Sequence, residues 1–514
     1  RFAHILKSSG IGYKDAVVNT VPNSLERLVT DIGIILAGAA PVNAMPALIS
    51  GEIFFSTARR SEAKAIVVYP VKEKVIWEQK NPLQPSGFES FVVDYRSEQA
   101  PKMMKAILIS RKTEWQCEHI ATVPHFLEFL GTLSEEQQFI ESQIVPSDVG
   151  YYHTTTGTTG MQKIVPRLHS SLLKVAAMVG QMAPCRLPIL FVTLNLGWNS
   201  GFPFMFFHFG SICVMIDDID LRNNGLKRKD VAIYWHAIDV ESIPFAHLSP
   251  TEIDGMARVN KTAVFPDRQP RKLAFVVTGG LPIKESTVSS ALESVCDSIV
   301  VFYGMTETGV VSYNVVSKAE QYREGECGRL YRGVQGRITD DAGNILPADK
   351  IGNIEFKTEA VFDGFLNNVE KTKEAFTPDG WLITADLGFF KPDGTLTVLC
   401  RRDDVILHGS VLIYPTAIES VLRKCPGVQE VVVVPVPDKL KHQNICACVI
   451  RAHGETFSED DLKGSMDKML AFPRNVEIQT PQHVVFMESF PLVQHTKINR
   501  KLLSQIAAES IARS

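Results

Sequence analysis

The chain reads Thr154-Thr155-Thr156-Gly157-Thr158-Thr159-Gly160-Met161-Gln162-Lys163 at its most informative point. Glycine lets a backbone turn tightly and bring its N–H groups close to a ligand. Threonine hydroxyls add hydrogen-bond donors and Lys163 adds a positive charge, so the stretch predicts a loop that binds a polyphosphate. It is not a Walker A loop, in which glycine, lysine and serine or threonine are adjacent. Taken alone, these ten residues are equally compatible with a flexible polar surface loop.

Four further motifs follow this loop. They are Tyr303-Gly304-Met305-Thr306-Glu307, Thr384-Ala385-Asp386, Arg401-Arg402-Asp403-Asp404, and Pro491-Leu492 followed by Lys497 and Arg500. In this order and at these separations, the set resembles the adenylate-forming superfamily, which includes acyl-CoA synthetases, luciferases and the adenylation domains of peptide synthetases. The resemblance covers nearly the whole chain. It implies an AMP-forming acid–thiol ligase that uses ATP, Mg²⁺ and coenzyme A with a small-molecule carboxylic acid.

The composition is that of an ordinary globular protein of more than one domain. Of the 514 residues, 45% are hydrophobic and 21% are charged, and the formal net charge is −4. No global positive field therefore attracts nucleic acid. The nine cysteines form no C-x-x-C pair, which favours a reduced, cytoplasmic protein. An organelle-targeting segment that has been removed is the alternative, and the oligomeric state is left open.

One segment has the charge pattern of a membrane span. No residue from Ile32 to Ile49 is charged, but the segment holds two prolines, two glycines and many alanines. Its hydrophobicity is low for a spanning helix. A buried helix to about Ala40, followed by a turn and a strand, is the better interpretation, and we predict no membrane span.

Apolar runs alternate with helical patterns through the first three hundred residues, which predicts parallel sheets covered on both faces. From about Glu324, closely spaced glycines indicate a small antiparallel β region. The fold class is therefore α/β, with a large N-terminal domain of packed, mostly parallel sheets and a small mobile α+β C-terminal domain. The predicted domains span residues 1–402 and 403–514. Relatives carry several tens of residues before the first helix, so we expect a shortened N-terminus.

The resemblance implies how the nucleotide is bound. Tyr303 and the segment from Gly279 correspond to the two walls of the adenine slot, because a tyrosine ring can stack on a purine. Asp386 and Arg401 correspond to the residues that hold the ribose. The complete predicted nucleotide-binding set is Thr155, Thr156, Gly157, Thr158, Thr159, Gly160, Lys163, Gly279, Gly280, Leu281, Pro282, Tyr303, Gly304, Met305, Asp386 and Arg401.

Three residues are implied to act on the reacting groups. Thr306 would donate to the α-phosphate, and Glu307 would bind Mg²⁺, which prefers oxygen ligands. Lys497 would neutralise the charge of the transition state at the α-phosphate. The alternative for Glu307 is a surface glutamate in a turn. Without the other motifs, Lys497 would be interpreted as an exposed lysine of a basic tail.

The resemblance also implies a second half-reaction. The small domain would rotate about a hinge at Asp403, moving Lys497 away and admitting CoA. Relatives carry glycine at the position of Ser410, next to Gly409, where the CoA path runs. A side chain there narrows the path predicted for pantetheine, the thiol-bearing arm of CoA.

Five positions depart from the family pattern, all where relatives carry glycine or proline: Gln162, Ala385, Cys400, Ser410 and Thr496. Two alternatives therefore remain open. One is an adenylate-only, luciferase-like or carrier-protein-directed enzyme, and the other is a non-catalytic nucleotide-binding relative. However, every charged residue with a chemical role is retained, which favours the ligase.

Three observations concern the acid. Gly304 stands where acetate-specific relatives carry tryptophan, which predicts a larger acid. No acidic residue lies between Leu196 and Gly201, so an α-ammonium group would have no partner there. Trp198, Thr278 and Gly304 are the predicted pocket residues. We expect a medium-chain or aromatic carboxylic acid.

Overall fold

The computed structural model describes residues 1–44, 51–69, 92–111, 125–132, 143–155, 162–181, 189–198, 208–223, 230–259, 261–267, 270–469, 478–493 and 497–513. These residues divide into two compact units. The first unit comprises residues 1–323, 327–335 and 357–382, and the second comprises 324–326, 336–356 and 383–514. The domain boundary predicted after Arg402 stays a prediction.

The first unit contains a sheet in the order β4-β5-β3-β1-β2-β6-β7. Its central strands pair in parallel, whereas β4 and β7 pair antiparallel at the edges. Every residue of β1, β2 and β3 is buried, as expected for parallel strands covered on both faces. The strands are β1 Ala16–Asn19, β2 Ala40–Asn43, β3 Ala65–Val68, β4 Val92–Asp94, β5 Lys105–Leu108, β6 Val149–Thr155 and β7 Lys163–Leu168.

A second sheet of this unit runs in the order β14-β13-β12-β11-β10-β8-β9. The strands from β9 to β12 pair in parallel, and β13 turns back antiparallel on β12. The strands are β8 Ile189–Val192, β9 Ile212–Met215, β10 Phe245–His247, β11 Phe275–Gly279, β12 Ile299–Met305, β13 Gly309–Val316 and β14 Glu326–Leu330. The carboxyl end of β12 thus lies where the chain reverses direction.

Helices cover the sheets of the first unit. Ser24 caps α2 by accepting from the Arg27 amide, and Ser249 forms a reciprocal capping box with Glu252 at the start of α8, as these residue types favour. The helices are α1 Phe2–Ser8, α2 Leu25–Leu36, α3 Gly51–Arg60, α4 Phe126–Thr132, α5 His169–Gly180, α6 Asp218–Asn223, α7 Ala232–Val240, α8 Pro250–Arg258, α9 Lys261–Val264, α10 Glu285–Ser294 and α11 Val369–Ala375, with a 3₁₀ turn at Ala319–Gln321.

Up to Ala44, the uncharged segment after Asp31 forms a helix, a turn and a strand in the expected order, but the helix ends before Ala40, which already lies in β2. Residues 45–49 of the segment lie outside the described residues. The helix α2 ends at Leu36, and Gly38 turns the chain with a φ of +88° into β2. Within the described part of the chain, no helix has the length and apolar character needed to cross a membrane.

The second unit opens with an antiparallel β region. Its strands lie in the order β15-β16-β17-β18, and β17 pairs antiparallel with β18. These strands are β15 Gln335–Thr339, β16 Gly352–Lys357, β17 Leu382–Phe390 and β18 Leu396–Arg401, followed by a 3₁₀ turn at Arg402–Asp404.

The remaining residues of the second unit form an α+β layer. The sheet runs β20-β19-β22-β21, β23 pairs in parallel with β22, and β24 pairs with β25 in a separate hairpin. The elements are β19 Ile406–His408, β20 Val411–Ile413, α12 Pro415–Leu422, β21 Val428–Asp438, β22 His442–Arg451, α13 Glu459–Met469, β23 His483–Phe486, β24 Leu492–Val493, β25 Lys497–Ile498 and α14 Arg500–Arg513.

Candidate active site

Lys163 lies at the base of the threonine-rich loop. It opens β7 opposite Thr155, the last residue of β6. Its ammonium group lies 4.6 Å from the centroid of the Phe365 ring, a cation–π distance. Predicted phosphate-binding residues 156–160 lie outside the described residues. The two strands nevertheless fix both ends of the loop, so Lys163 is held beside it.

Gln162, which stands where relatives carry proline, is held by its backbone. Its carbonyl accepts a hydrogen bond from the Arg60 guanidinium at 2.5 Å, and the residue is buried. A hydrogen bond at this position restrains the loop base without the fixed φ of proline.

The predicted walls of the adenine slot are brought together. Gly279 ends β11 directly opposite Phe302 on the parallel strand β12, so Tyr303 is the next residue along. A Cβ added to Gly279 would lie 2.6 Å from the Phe302 carbonyl oxygen, and Gly280 has a φ of +75°. Both glycines are therefore required by the backbone, and Leu281 and Pro282 follow in the turn.

The pairing of two strands explains why position 304 is glycine, independently of the predicted open pocket. The pairing of β12 with β13 shifts register between Tyr303 and Gly304. A Cβ on Gly304 would lie 2.2 Å from the carbonyl oxygen of Gly309 and 2.8 Å from the Cα of Val310. Because no side chain fits against β13 here, strand pairing requires this glycine, and its bearing on the size of the acid stays a prediction.

The turn at Thr306 and Glu307 directly follows Met305, the last residue of β12. Its two carbonyl groups are both held: that of Thr306 accepts from Arg167 at 2.8 Å, and that of Glu307 accepts from the Phe362 amide at 2.8 Å. Ligand sites in α/β sheets lie at such carboxyl ends of strands. The backbone that carries the Glu307 carboxylate is therefore fixed in place.

Sequence reasoning missed Arg167. This residue of β7 is fully buried. Burial lowers the pKa of its guanidinium to about 10, while the charges of Glu307 and Asp363 oppose that shift. The available signal was an arginine within the otherwise uncharged run Ile164-Val165-Pro166-Arg167-Leu168.

The predicted pocket residues Thr278 and Trp198 lie on different elements of the first unit. Thr278, on β11, is fully buried, and its hydroxyl has no hydrogen-bond partner among the described residues. Trp198 is 37% exposed, and its amide donates to the Asn195 carbonyl at 3.0 Å. The neighbouring phenylalanines at 202, 204, 206 and 207 lie outside the described residues.

Buried polar side chains form hydrogen bonds to the backbone of the turn that precedes Trp198. Asn23 bonds the backbone at Leu194 and Leu196, at 2.8 and 3.0 Å. His153 bonds the Gly197 carbonyl through Nδ1 at 2.9 Å. Burial lowers the pKa of His153 to about 3, so the ring is neutral and Nδ1 donates. No local sequence pattern indicates these contacts.

In the second unit, Asp386 and Arg401, the residues predicted to hold the ribose, form an ion pair. They stand opposite each other on β17 and β18, with Oδ1 of Asp386 3.3 Å from Nε of Arg401. Arg401 also donates to the Thr384 carbonyl at 3.1 Å. Ala385, where relatives carry glycine, keeps a φ of +62°, a conformation that costs a residue with a Cβ roughly 1 kcal/mol.

The predicted hinge residue and the predicted CoA-path residues follow Arg401 within ten residues of the chain. Asp403 is an exposed residue of the 3₁₀ turn, and Gly409 and Ser410 form the turn between β19 and β20. Gly409 takes the positive φ of that turn, +64°. Ser410 is exposed, so serine is accommodated there without backbone strain.

Lys497 begins β25, which pairs with β24 in a two-stranded hairpin. Arg500, three residues later, is anchored to Glu419 at 2.7 Å and to the Val433 carbonyl at 2.8 Å, and lies 3.6 Å from Asp404. Burial raises the pKa of Asp404, and the positive charge of Arg500 opposes this shift. The backbone after Lys497 is therefore attached to α12 and to the 3₁₀ turn of the same unit.

Comparisons with known proteins agree with the resemblance. The profile of the AMP-binding enzyme family matches residues 1–366, and that of the AMP-binding enzyme C-terminal domain matches residues 417–497. A 4-coumarate–CoA ligase 2 of Nicotiana tabacum is 25% identical over 512 residues, which span 98% of this chain and 87% of the relative. A 4-coumarate–CoA ligase of Vanilla planifolia is 24% identical over 515 residues, which span 98% and 86%.

Solved structures share the fold. The anthranilate CoA ligase AuaEII, in complex with anthranoyl-AMP, has a TM-score of 0.81 at 19% identity, over 99% of this chain and 91% of that one. ATP-bound MatB from Rhodopseudomonas palustris has a TM-score of 0.79 at 21% identity, over 99% and 92%. The predicted α/β fold class is confirmed. Since the first profile covers well over half of the chain, the protein belongs to the family of AMP-binding enzymes, within the adenylate-forming superfamily.

Proposed function

We propose that this enzyme, an AMP-forming acid–thiol ligase, activates a carboxylic acid with ATP and then transfers the acyl group to coenzyme A. Acid activation is the activity of its family, and the curated relatives are named as CoA ligases. The observation that carries the proposal is the turn at the end of β12, where both carbonyls beside the Glu307 carboxylate are held by hydrogen bonds. A carboxylate carried on a fixed backbone is suited to positioning a metal and a triphosphate, and phosphoryl chemistry depends on such positioning.

The first half-reaction forms an acyl-adenylate. A carboxylate oxygen of the acid attacks the α-phosphorus of ATP, and the bond from that phosphorus to the β-phosphate oxygen breaks, which releases pyrophosphate. In our proposal, Lys163 and the threonine-rich loop bind the outer phosphates, and Thr306 donates to the α-phosphate. Lys497 neutralises the charge that develops there.

Magnesium fits the oxygen donors at Glu307. Mg²⁺ is commonly bound by one or two carboxylates together with substrate phosphates. The described residues contain no group of three or more His, Cys, Asp or Glu side chains that could hold a metal by themselves. We therefore propose a metal shared between Glu307 and the triphosphate, where it would neutralise phosphate charge.

Adenine and ribose are each assigned their own residues in this proposal. Tyr303 and the Gly279–Gly280 backbone bind adenine, and Asp386 accepts from the ribose hydroxyls. Arg401, already 3.3 Å from Asp386, keeps that carboxylate oriented. A fixed adenosine places the α-phosphorus for in-line attack.

Replacing Asp386 with alanine tests the ribose contact. A charged hydrogen bond contributes about 1.5–3 kcal/mol, so we expect ATP affinity to fall about 10- to 100-fold. Isothermal titration with ATP measures it. Glu488→Ala, which removes an exposed carboxylate of the same unit, serves as the control and should leave the affinity unchanged. Equal affinities for the Asp386 variant and the wild type would contradict the role.

The second half-reaction forms the thioester. The CoA sulfur attacks the acyl carbonyl carbon, the bond from that carbon to the AMP oxygen breaks, and AMP leaves. We propose that the C-terminal part rotates about Asp403 between the two half-reactions. Gly409 and Ser410 then border the path of the pantetheine arm.

Ser410→Gly tests this path. Removing the side chain should lower the KM for CoA by about tenfold, the scale of one small group in a tight pocket, with the adenylation rate unchanged. Ser410→Ala is the matched control, because it keeps the Cβ and loses only the hydroxyl. If both variants keep the wild-type KM, Ser410 does not restrict the acceptor.

The acid in our proposal is medium-chain or aromatic. The relatives are named for 4-coumarate and anthranilate, both aromatic acids. Thr278 and Trp198 would line the pocket, and the absence of an acidic residue between Leu196 and Gly201 disfavours an α-amino acid.

Pyrophosphate release from ATP and Mg²⁺, measured across a panel of acids with and without CoA, tests the function. The panel contains 4-coumarate, anthranilate, hexanoate, acetate and phenylalanine. Acid-dependent release together with a thioester product is the expected result. Release without any thioester would favour an adenylate-only or carrier-protein-directed enzyme, and ATP binding without release would favour a non-catalytic relative.

A further inference from the structure

Arg167 is a fully buried cation that none of the proposed half-reactions uses. Its guanidinium donates through Nη1 to the Thr306 carbonyl and through Nη2 to the Ala360 carbonyl, both at 2.8 Å. Its Nε has no hydrogen-bond partner among the described residues. Burying a guanidinium whose hydrogen bonds go to carbonyls is costly, and the charges of Glu307 and Asp363 offset only part of the lost hydration. Such a group calls for a role beyond filling the core.

The two carbonyl groups that accept hydrogen bonds from Arg167 belong to two different segments of the chain. One is the turn that carries Glu307. The other is the segment from Ala360 to Leu366, whose Phe362 amide donates to the Glu307 carbonyl at 2.8 Å and whose Leu366 amide donates to Ile164 at 3.0 Å. Arg167 thus connects β7 to both sides of the turn.

The same segment also reaches Lys163. The Phe365 ring lies 4.6 Å from the Lys163 ammonium, and Lys163 and Arg167 lie four residues apart on β7. Residues at even spacing on a strand point to the same face. The Arg167 guanidinium therefore connects three parts of the first unit: strand β7, which carries Lys163, the segment from Ala360 to Leu366, and the turn that carries Glu307.

We propose that Arg167 is a positioning residue for the metal–triphosphate site, acting through the Thr306 carbonyl to set the direction of the Glu307 carboxylate. The inference rests on the proposed function, in which Glu307 and the triphosphate share Mg²⁺. Arg167 does not touch the substrate, because its side chain is fully buried.

The test compares Arg167→Gln and Arg167→Lys with the wild type. Glutamine supplies two N–H donors from a single nitrogen and no charge, whereas lysine keeps the charge and three donors. We measure ATP binding by calorimetry during a Mg²⁺ titration, without acid or CoA, and repeat it in EDTA. The expected result is a roughly tenfold higher Mg²⁺ midpoint for Arg167→Gln, a smaller rise for Arg167→Lys, and little change in EDTA.

A matched control separates positioning from general stability. Arg111 is a largely buried arginine of the same unit that pairs with Glu26 at 2.6 Å and Asp217 at 2.5 Å. Arg111→Lys should lower the melting temperature and leave the Mg²⁺ midpoint unchanged. Arg167 variants that lower the melting temperature with an unchanged midpoint would overturn the proposal.

A measurement on the wild type covers the case in which the variants do not fold. Hydrogen exchange of the Phe362 amide is followed with ATP in EDTA and then with added Mg²⁺. Slower exchange on adding Mg²⁺ is expected, because that amide bonds the Glu307 carbonyl, and unchanged exchange would overturn the proposal. These experiments need no turnover, so a negative acid panel would count against the proposed function alone.

Discussion

Replacing Lys497 with alanine is expected to reduce acyl-adenylate formation by about 100- to 1,000-fold, the usual cost of removing one group that stabilises transition-state charge. ATP affinity should change little, because the lysine acts on charge that develops during the reaction. Acid-dependent exchange of pyrophosphate into ATP measures the first half-reaction directly, and calorimetry measures ATP binding.

Lys501→Ala is the matched control for Lys497→Ala. Lys501 is an exposed residue of α14 in the same basic segment, so its removal changes net charge equally. We expect wild-type exchange from this control. Wild-type exchange from Lys497→Ala would refute the assignment of that lysine.

Glu307→Gln is expected to reduce adenylation by about 100-fold, since a neutral amide holds Mg²⁺ poorly and leaves the triphosphate charge less screened. The change is nearly isosteric, and the hydrogen bond from Phe362 is to the backbone of residue 307. The fold should therefore be preserved. The measurement is pyrophosphate release as a function of Mg²⁺ concentration.

The control for this variant is Glu293→Gln, which neutralises an exposed carboxylate of α10 in the same unit. Its Mg²⁺ dependence should match the wild type. A Glu307→Gln enzyme with the wild-type rate and the wild-type Mg²⁺ midpoint would show that another group binds the metal. The two variants also separate catalysis from metal binding. Lys497→Ala should leave Mg²⁺-dependent ATP binding intact, whereas Glu307→Gln should weaken it.

Much of the fold could be predicted from the sequence because its signals are local. Continuous apolar runs such as Ala65–Val68 are typical of strands buried on both faces, and the glycine spacing after Glu324 indicates short antiparallel strands. The order of the motifs likewise predicted the family. Each motif and each apolar run spans only a few residues, and their order is visible directly along the chain.

The contacts that shape the candidate site were not predictable in this way. Arg167 reaches Thr306 and Ala360, and His153 reaches Gly197, across separations of 139, 193 and 44 residues. The sequence pattern at Gly304 predicts a larger acid, but the close approach of Gly304 to Gly309 depends on how β12 and β13 pair. No local pattern records which buried donor meets which distant carbonyl.

The sequence by itself thus determined the fold class, the family and the charged residues of the proposed chemistry, because hydrophobic periodicity and the motifs are visible along the chain without knowing which distant residues meet. Only the tertiary structure decided which buried groups hold those residues. A buried polar group must find a partner wherever the fold brings one, and for Arg167 that partner is the backbone of the Thr306–Glu307 turn.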